Sequence, residues 1–83
     1  MKLTLKYFAS IREALGTGQE ALETSAATVQ ALREELVGRG GAYALSLAPG
    51  RAVRAALNQV MVDGQAALSE GAEVAFFPPV TGG

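Results

Sequence analysis

The residues whose types and spacing suggest chemistry lie at the very end of the chain, in Phe76-Phe77-Pro78-Pro79-Val80-Thr81-Gly82-Gly83. Gly82 and Gly83 lack a Cβ, so they fit a slot in which any other residue would clash, and they end on a carboxylate. What precedes them is a stiff spacer. Pro78 and Pro79 have φ held at about −65° and no N–H, so they end a strand's hydrogen-bond ladder and favour the extended polyproline conformation. Val80 and Thr81 are β-branched and also lean extended. The six residues Pro78 to Gly83 span roughly 20 Å at about 3.3 Å each. The tail is expected to be an arm that carries its own terminal carboxylate into the active site of another protein.

The body of the chain offers little competing chemistry. It has no Cys and no His, which removes thiol nucleophiles, disulfides, thiolate metal sites and the commonest general base and metal ligand. The 8 acidic residues are scattered, and Glu34-Glu35 reads as a solvated helix face. A formal net charge of −1 with both signs interspersed leaves no footprint for nucleic acid. Met1 to Lys6 alternates instead of forming an apolar run, so neither a signal peptide nor a membrane span is expected, and a cytoplasmic location follows by default. At 83 residues the chain is expected to fold as one domain over residues 1–77, with residues 78–83 as its tail.

The elements that must position the tail follow from periodicity. Leu3, Leu5 and Tyr7 alternate with Lys2, Thr4 and Lys6, the pattern of a half-buried strand over 2–8. Ser10 is placed to cap a short helix over 11–15 that Gly16 ends. After a turn at Gly16-Thr17-Gly18, residues 19–24 read as a weaker, edge-like strand. Thr28 is placed to cap a firmer helix, since Val29, Leu32, Leu36 and Val37 fall on one face, with Gly38, Gly40 and Gly41 ending it. Residues 42–48 read as a short helical turn and Pro49-Gly50 as a turn. Residues 51–62 hold a third strand interrupted at Asn58-Gln59. Asp63-Gly64 is a turn before a short segment at 65–68, and 72–77 is the last strand. The order predicts an α+β roll: a mixed sheet of four to five strands, one main helix packed across it, and the two terminal strands adjacent and parallel. This is the ubiquitin-like β-grasp arrangement.

Strand parity adds a surface to the arm. Successive side chains face opposite ways, so Phe77 points outward if Val74 and Phe76 point into the core. Phe8 lies opposite Leu3, Leu5 and Tyr7, and Met61 lies opposite Val60 and Val62. If the terminal strands are neighbours, Phe8 and Phe77 share one surface that Met61 can join, and such a cluster beside an extended tail marks a docking site.

These residues resemble the MoaD family, the small subunits of molybdopterin synthase. The match is strongest from Gly71 through Gly83, with support at Phe8-Ala9, Arg12-Glu13, Thr28-Val29, Ala31-Leu32 and Asn58-Gln59. No motif aligns over 38–50. The resemblance implies a sulfur carrier, a non-catalytic, sulfur-donating subunit that binds neither cofactor nor metal itself. A ubiquitin-activating-like adenylyltransferase would use ATP to adenylate Gly83, and sulfur would replace AMP to give a thiocarboxylate. Gly83 would then enter the large synthase subunit, in a heterotetramer of two small and two large subunits, and pass sulfur to cyclic pyranopterin monophosphate. By the same resemblance Gly82 gives the narrow passage, Pro78, Pro79, Val80 and Thr81 form the arm, and Phe8, Met61 and Phe77 contact partners. Arg12 would contact the activating enzyme. A ubiquitin-like protein modifier and a sulfur carrier for thiamine, cysteine or thiolated tRNA share the same fold and tail, and stand as alternatives.

Overall fold

Alternation along β1 (Lys2–Tyr7) converts directly into burial: Leu3, Leu5 and Tyr7 are buried while the intervening residues face away. The computed structural model describes residues 1–79. β1 is followed by α1 (Ala9–Leu15), β2 (Gln19–Glu23), α2 (Val29–Val37), α3 (Gly41–Leu47), β3 (Arg54–Leu57), β4 (Val60–Val62) and β5 (Glu73–Phe77). The strands form one 5-stranded sheet in the order β2-β1-β5-β3-β4. β1 and β5 pair in parallel, Tyr7 opposite Phe76, and the other three pairings are antiparallel. The terminal strands are therefore central and adjacent, and the fold is the ubiquitin-like α+β roll that the element order predicts.

Helix α2 crosses the sheet because its apolar residues fall on one stripe: Val29, Leu32 and Leu36 are buried in one cluster with Leu3, Leu5, Tyr7, Val74 and Phe76. Its N-terminus leaves no donor orphaned. The Thr28 hydroxyl accepts from the Ala31 N–H at 3.2 Å, and Val29 and Gln30 donate to the carbonyls of Ala66 and Gly64. These satisfy the groups that the first helical turn cannot pair internally.

Local details depart from the sequence reading at three places. Ser10 does not cap α1: the helix leaves β1 directly, with Phe8 as the extended N-cap residue and Ala9 at φ +53°, so Ser10 falls inside the first turn. The interrupted strand at 51–62 is a hairpin, β3 and β4, joined by Asn58-Gln59. Both turn residues have positive φ, +50° and +68°, the pattern of the hairpin turns that match strand twist. The Asn58 side chain holds the turn onto β5 by accepting from the Glu73 N–H at 2.9 Å. Finally, the stretch read as a short helical turn at 42–48 is the helix α3, Gly41–Leu47, capped by Ala48. Arg33 of α2 satisfies its C-terminal end, donating to the carbonyls of Leu47 and Ala48, each at 2.7 Å.

A polar cluster secures the sheet edge. Register places Glu20 of β2 opposite Leu5, so its side chain faces the helices. There it accepts from Tyr7 Oη at 3.0 Å and Tyr43 Oη at 2.9 Å and forms a 2.9 Å ion pair with Arg39. The Arg39 guanidinium also lies 4.7 Å from the Tyr43 ring centroid. Burial alone would raise the Glu20 pKa, but the hydrogen bonds from Tyr43, Arg39 and Tyr7 outweigh it and hold the carboxyl below its ordinary value. Burial and the neighbouring Glu20 charge push the Tyr7 hydroxyl the other way, far above its ordinary value.

Both signs follow by linkage. A carboxyl depressed in the folded state stabilises above its unfolded pKa and loses that contribution as pH falls through its native value. A phenol raised in the folded state stabilises below its unfolded pKa and loses that contribution as pH rises above it. Urea unfolding across pH should therefore show Glu20→Gln less stable than wild type at neutral pH. That gap should narrow as pH falls below 4.5, the ordinary value of the group. Wild-type stability should also decline above pH 10, the ordinary value for Tyr7, and Tyr7→Phe should decline less steeply, keeping only the part that comes from the raised Tyr43 hydroxyl. A gap for Glu20→Gln that persists undiminished into acid would show that the carboxylate charge is not what the cluster uses.

Candidate functional site

The last strand lies at the centre of the sheet. β5 is hydrogen-bonded to β1 on one side and β3 on the other, and Phe77 is its last residue. Pro78 cannot donate to a ladder, so pairing stops there. Pro78 and Pro79 are partly buried, and Pro78 borders a small hollow with Ile11, Ala14, Arg51 and Val53. Val80, Thr81, Gly82 and Gly83 lie outside the described residues.

The apolar residues singled out by parity do fall on the sheet face away from the helices. Register runs Met61 opposite Ala56, Ala56 opposite Ala75, and Ala75 opposite Lys6. Phe77 follows Ala75 on the same face and lies opposite Arg54. The extended backbone of Phe8 continues β1, with its N–H donating to the Phe76 carbonyl at 3.1 Å, which sets Phe8 level with Phe77. Phe8 is 46% exposed, Met61 58% and Val60 63%, whereas Phe77 is half-buried. Val60 belongs by parity to the helix-facing side, yet it sits on the edge strand β4, beyond the reach of the core.

Between these larger groups lie Ala75 and Ala56, buried to 7% and 8% exposure although they face outward. Small side chains there make a flat floor, with Phe8, Phe77 and Met61 at its margins. Neither alanine stands out in the sequence, because their adjacency depends on the pairing of β3 with β5. Arg54 is missed for the same reason. Arg12 lies apart from this floor. Its side chain rests over the α1–β2 turn, where a Cβ on Gly18 would come within 3.0 Å of Arg12 Nε. The structure thus brings Phe8, Phe77 and Met61 onto one face and places Arg12 on the adjoining end.

Among the described residues no group of His, Cys, Asp and Glu is arranged to hold a metal ion, and no helix is long and apolar enough to cross a membrane. The body holds a shaped face beside the end of β5.

Residues 5–83 match the model of the ThiS family. The chain belongs to the ThiS family. A curated relative from Haemophilus influenzae, named "Molybdopterin synthase sulfur carrier subunit", is 42% identical over 81 residues, covering 98% of this chain and 99% of its own length. Among solved structures, small archaeal modifier protein 1 of H. volcanii superposes with a TM-score of 0.75 at 26% identity, over 95% of this chain and 98% of that one. A Helicobacter pylori structure of subunits 1 and 2 of molybdopterin-converting factor in complex includes a chain with the same fold. Its TM-score is 0.69 at 24% identity, with complete coverage of both chains. This ThiS-family chain shares with these relatives a fold that spans nearly its whole length.

The two faces of β5 predict opposite mutational behaviour. Phe76 is buried at 1% exposure, so Phe76→Ala should destabilise by about 3–5 kcal/mol. Phe8→Ala and Met61→Ala remove exposed groups and should shift stability by no more than about 0.5 kcal/mol. Chemical denaturation of the three variants checks this. A large loss for Phe8→Ala would mean that Phe8 supports the core instead of a partner.

Proposed function

We propose that this chain is the sulfur-carrying small subunit of molybdopterin synthase. What carries the reading is the match at 42% identity to a curated relative of that name across 98% of the chain. Added to it is a central strand that stops at a Pro-Pro pair, with only Val80 and Thr81 between that pair and a terminal Gly-Gly. The proposed chemistry explains the composition. A terminal carboxylate with a pKa of about 3.5 is ionised at neutral pH and is a poor electrophile. In the proposed first step, a carboxylate oxygen of Gly83 attacks the α-phosphorus of ATP on an adenylating enzyme. Pyrophosphate leaves, and AMP becomes a leaving group on the Gly83 carbonyl. A sulfur nucleophile then displaces AMP and leaves a thiocarboxylate.

That sulfur is itself a nucleophile, which is how a chain without Cys can deliver sulfur. Its acceptor in this reading is cyclic pyranopterin monophosphate, held by the large subunit. The synthase so formed is a heterotetramer of two small and two large subunits. Gly83 carries the sulfur, Gly82 passes the narrow part of the partner's cleft, and Pro78 to Thr81 supply reach. Phe8, Met61 and Phe77 press against the partner's surface.

The test is the intact mass after incubation with ATP, a sulfur source and a ubiquitin-activating-like enzyme. The expected shift equals the exchange of one oxygen for sulfur, is abolished by deleting Gly83, and is slowed by Gly82→Ala in a domain that still folds. An unchanged mass, under conditions where the enzyme thiocarboxylates another carrier, would defeat the reading.

The docking role of Phe77 has its own check. Phe77→Asp should leave the isolated domain folded and weaken large-subunit binding by about 2 kcal/mol or more, which is roughly 30-fold in Kd. Undiminished binding would remove Phe77 from the interface.

The likeness to small archaeal modifier protein 1 favours a second reading, in which the same activated Gly83 forms isopeptide bonds to target lysines. Branched Gly83–lysine peptides in digests of cell extract would promote it over sulfur transfer.

A further inference from the structure

Apart from Lys2, which is exposed at the far end of β1 and likewise makes no ion pair among the described residues, the side-chain cations of this chain divide into two groups. Among the described residues, Lys6 pairs with Glu73 at 3.4 Å and Arg39 with Glu20 at 2.9 Å, while Arg33 is taken up by the carbonyls of Leu47, Ala48 and Arg51. Arg12, Arg51 and Arg54 are exposed, and no described carboxylate lies within ion-pair distance of any of them. Glu13, next to Arg12 on α1, and Asp63, which borders the same cleft as Arg54, are the nearest candidates by position, and neither closes a pair.

These three arginines come from separate parts of the chain, yet the topology gathers them at one end of the sheet. Arg54 is opposite Phe77, the last residue of β5. Arg51 borders the hollow that holds Pro78. Arg12 lies over the turn at Gly18, whose carbonyl accepts from the Tyr7 N–H at the same end of β1. Neighbouring strands are about 4.8 Å apart, so the Gly18, Phe8, Phe77 and Arg54 positions fall within roughly 15 Å along that end. In a chain of net charge −1, unpaired positive charge is concentrated where the arm begins.

We propose that Arg51 and Arg54 extend the contact already expected of Arg12 into a basic collar around the root of the arm, which engages an acidic protein rim at the mouth of the cleft receiving it. The proposal rests on the carrier reading given above. The occupant is a protein surface, not a nucleotide phosphate. The collar sits at Pro78, whereas the carboxylate to be activated is at Gly83, up to roughly 20 Å further along an extended chain. A group at the cleft floor is thus beyond the collar's reach, and the cleft mouth is what it meets. A carrier that must leave one partner for another in every cycle gains more from a fast encounter than from tight binding, and complementary charge acts mainly on the encounter rate. The adenylating enzyme is the first such partner, since the carboxylate must be activated before it carries anything.

The arginine side chains can be altered without disturbing the fold. Arg51 joins local structure through its backbone, donating to the Ala48 carbonyl at 2.9 Å and accepting from Arg33 at 3.1 Å. The experiment measures association of the full chain with its adenylating enzyme by stopped flow, from about 50 mM to 1 M salt. The chains compared are wild type, R51E/R54E and, as a control, K2E. Lys2 is exposed at the start of β1, the opposite end of the sheet. At low salt R51E/R54E should associate at least about tenfold more slowly, within the range that steering supplies. The curves should converge near 1 M, where the Debye length falls to about 3 Å, and K2E should follow wild type. Melting temperatures measured alongside should agree for all three.

Equal low-salt rates for wild type and R51E/R54E would overturn the collar, as would an equal deficit in K2E, which would make net charge the cause. A deficit that salt does not erase would overturn it too. Failure of the carrier reading looks different: wild type itself would then show no ATP-dependent change of mass with the enzyme.

Discussion

The parallel pairing of β1 with β5 is the constraint on which the rest depends. It sets both ends of the folded chain in the middle of the sheet, and Phe76 and Tyr7 stack beside each other in the core at 6.5 Å between ring centroids. A strand bonded on both sides is the hardest to peel away, because two ladders must break at once. Residues that follow β5 are therefore anchored to the least yielding part of the described structure. The same pairing brings Phe8 level with Phe77, and pairing of β5 with β3 adds Ala56, Met61 and Arg54. A parallel pair needs a long crossover, and here the crossover includes α2, whose apolar stripe closes the core.

Edge and centre are stabilised by different means. The centre is apolar, built from Leu3, Leu5, Val74 and Phe76 against Val29, Leu32 and Leu36. The β2 edge cannot be, since an apolar edge strand invites pairing with another chain. Glu20 resolves this by facing inward as a carboxylate that two tyrosines and Arg39 fully engage. At the opposite edge β4 is only three residues long, too short to template much pairing, although Val60 and Met61 are exposed. The two edges are thus blunted by an inward charge on one side and by brevity on the other.

What was legible in the sequence was whatever rests on short-range period or local chemistry. Alternation over Lys2–Tyr7, the stripe from Val29 to Val37 and the Thr28 cap each need only a few neighbouring residues, and the order of elements, with a helical crossover between the first and last strands, suggests that the terminal strands are adjacent and parallel. What was not legible depends on contacts distant in sequence. Glu20 and Tyr43 are 23 positions apart, and the partners of Arg33 lie 14 to 18 positions away. In an alanine-rich stretch such as Gly41–Leu47 the apolar residues are too uniform to show a period, so a full helix looks like a turn. Ser10 misled for the opposite reason: it is a good capping residue, but the positive φ of Ala9 starts the helix before it. Of the proposed site, Phe8, Met61 and Phe77 follow from parity alone, whereas Ala56, Ala75 and Arg54 needed the register between β3 and β5.

A carrier and an enzyme place different demands on a fold, and the carrier reading proposed for this chain draws on the first set. An enzyme must hold several groups in mutual register around a substrate, and it does so with titratable side chains whose pKa values are tuned by burial. Here Glu20, Tyr7, Tyr43 and Arg39 engage one another in a structural cluster at the β2 edge, and Arg33 is held by backbone carbonyls. A carrier needs a single reactive terminus, a body that does not react with it, and a surface that different partners can hold in turn. The absence of Cys and His suits the second demand, since an internal thiol or imidazole would be a competing nucleophile towards an activated acyl group. The outward alanine floor suits the third, because small flat surfaces accept different partner shapes with little ordering of side chains. Specificity must then come from the margins of that floor, where Phe8, Phe77 and Met61 provide apolar anchors and Arg54 provides charge. These residues differ in kind, and partners that share the floor can weigh them differently.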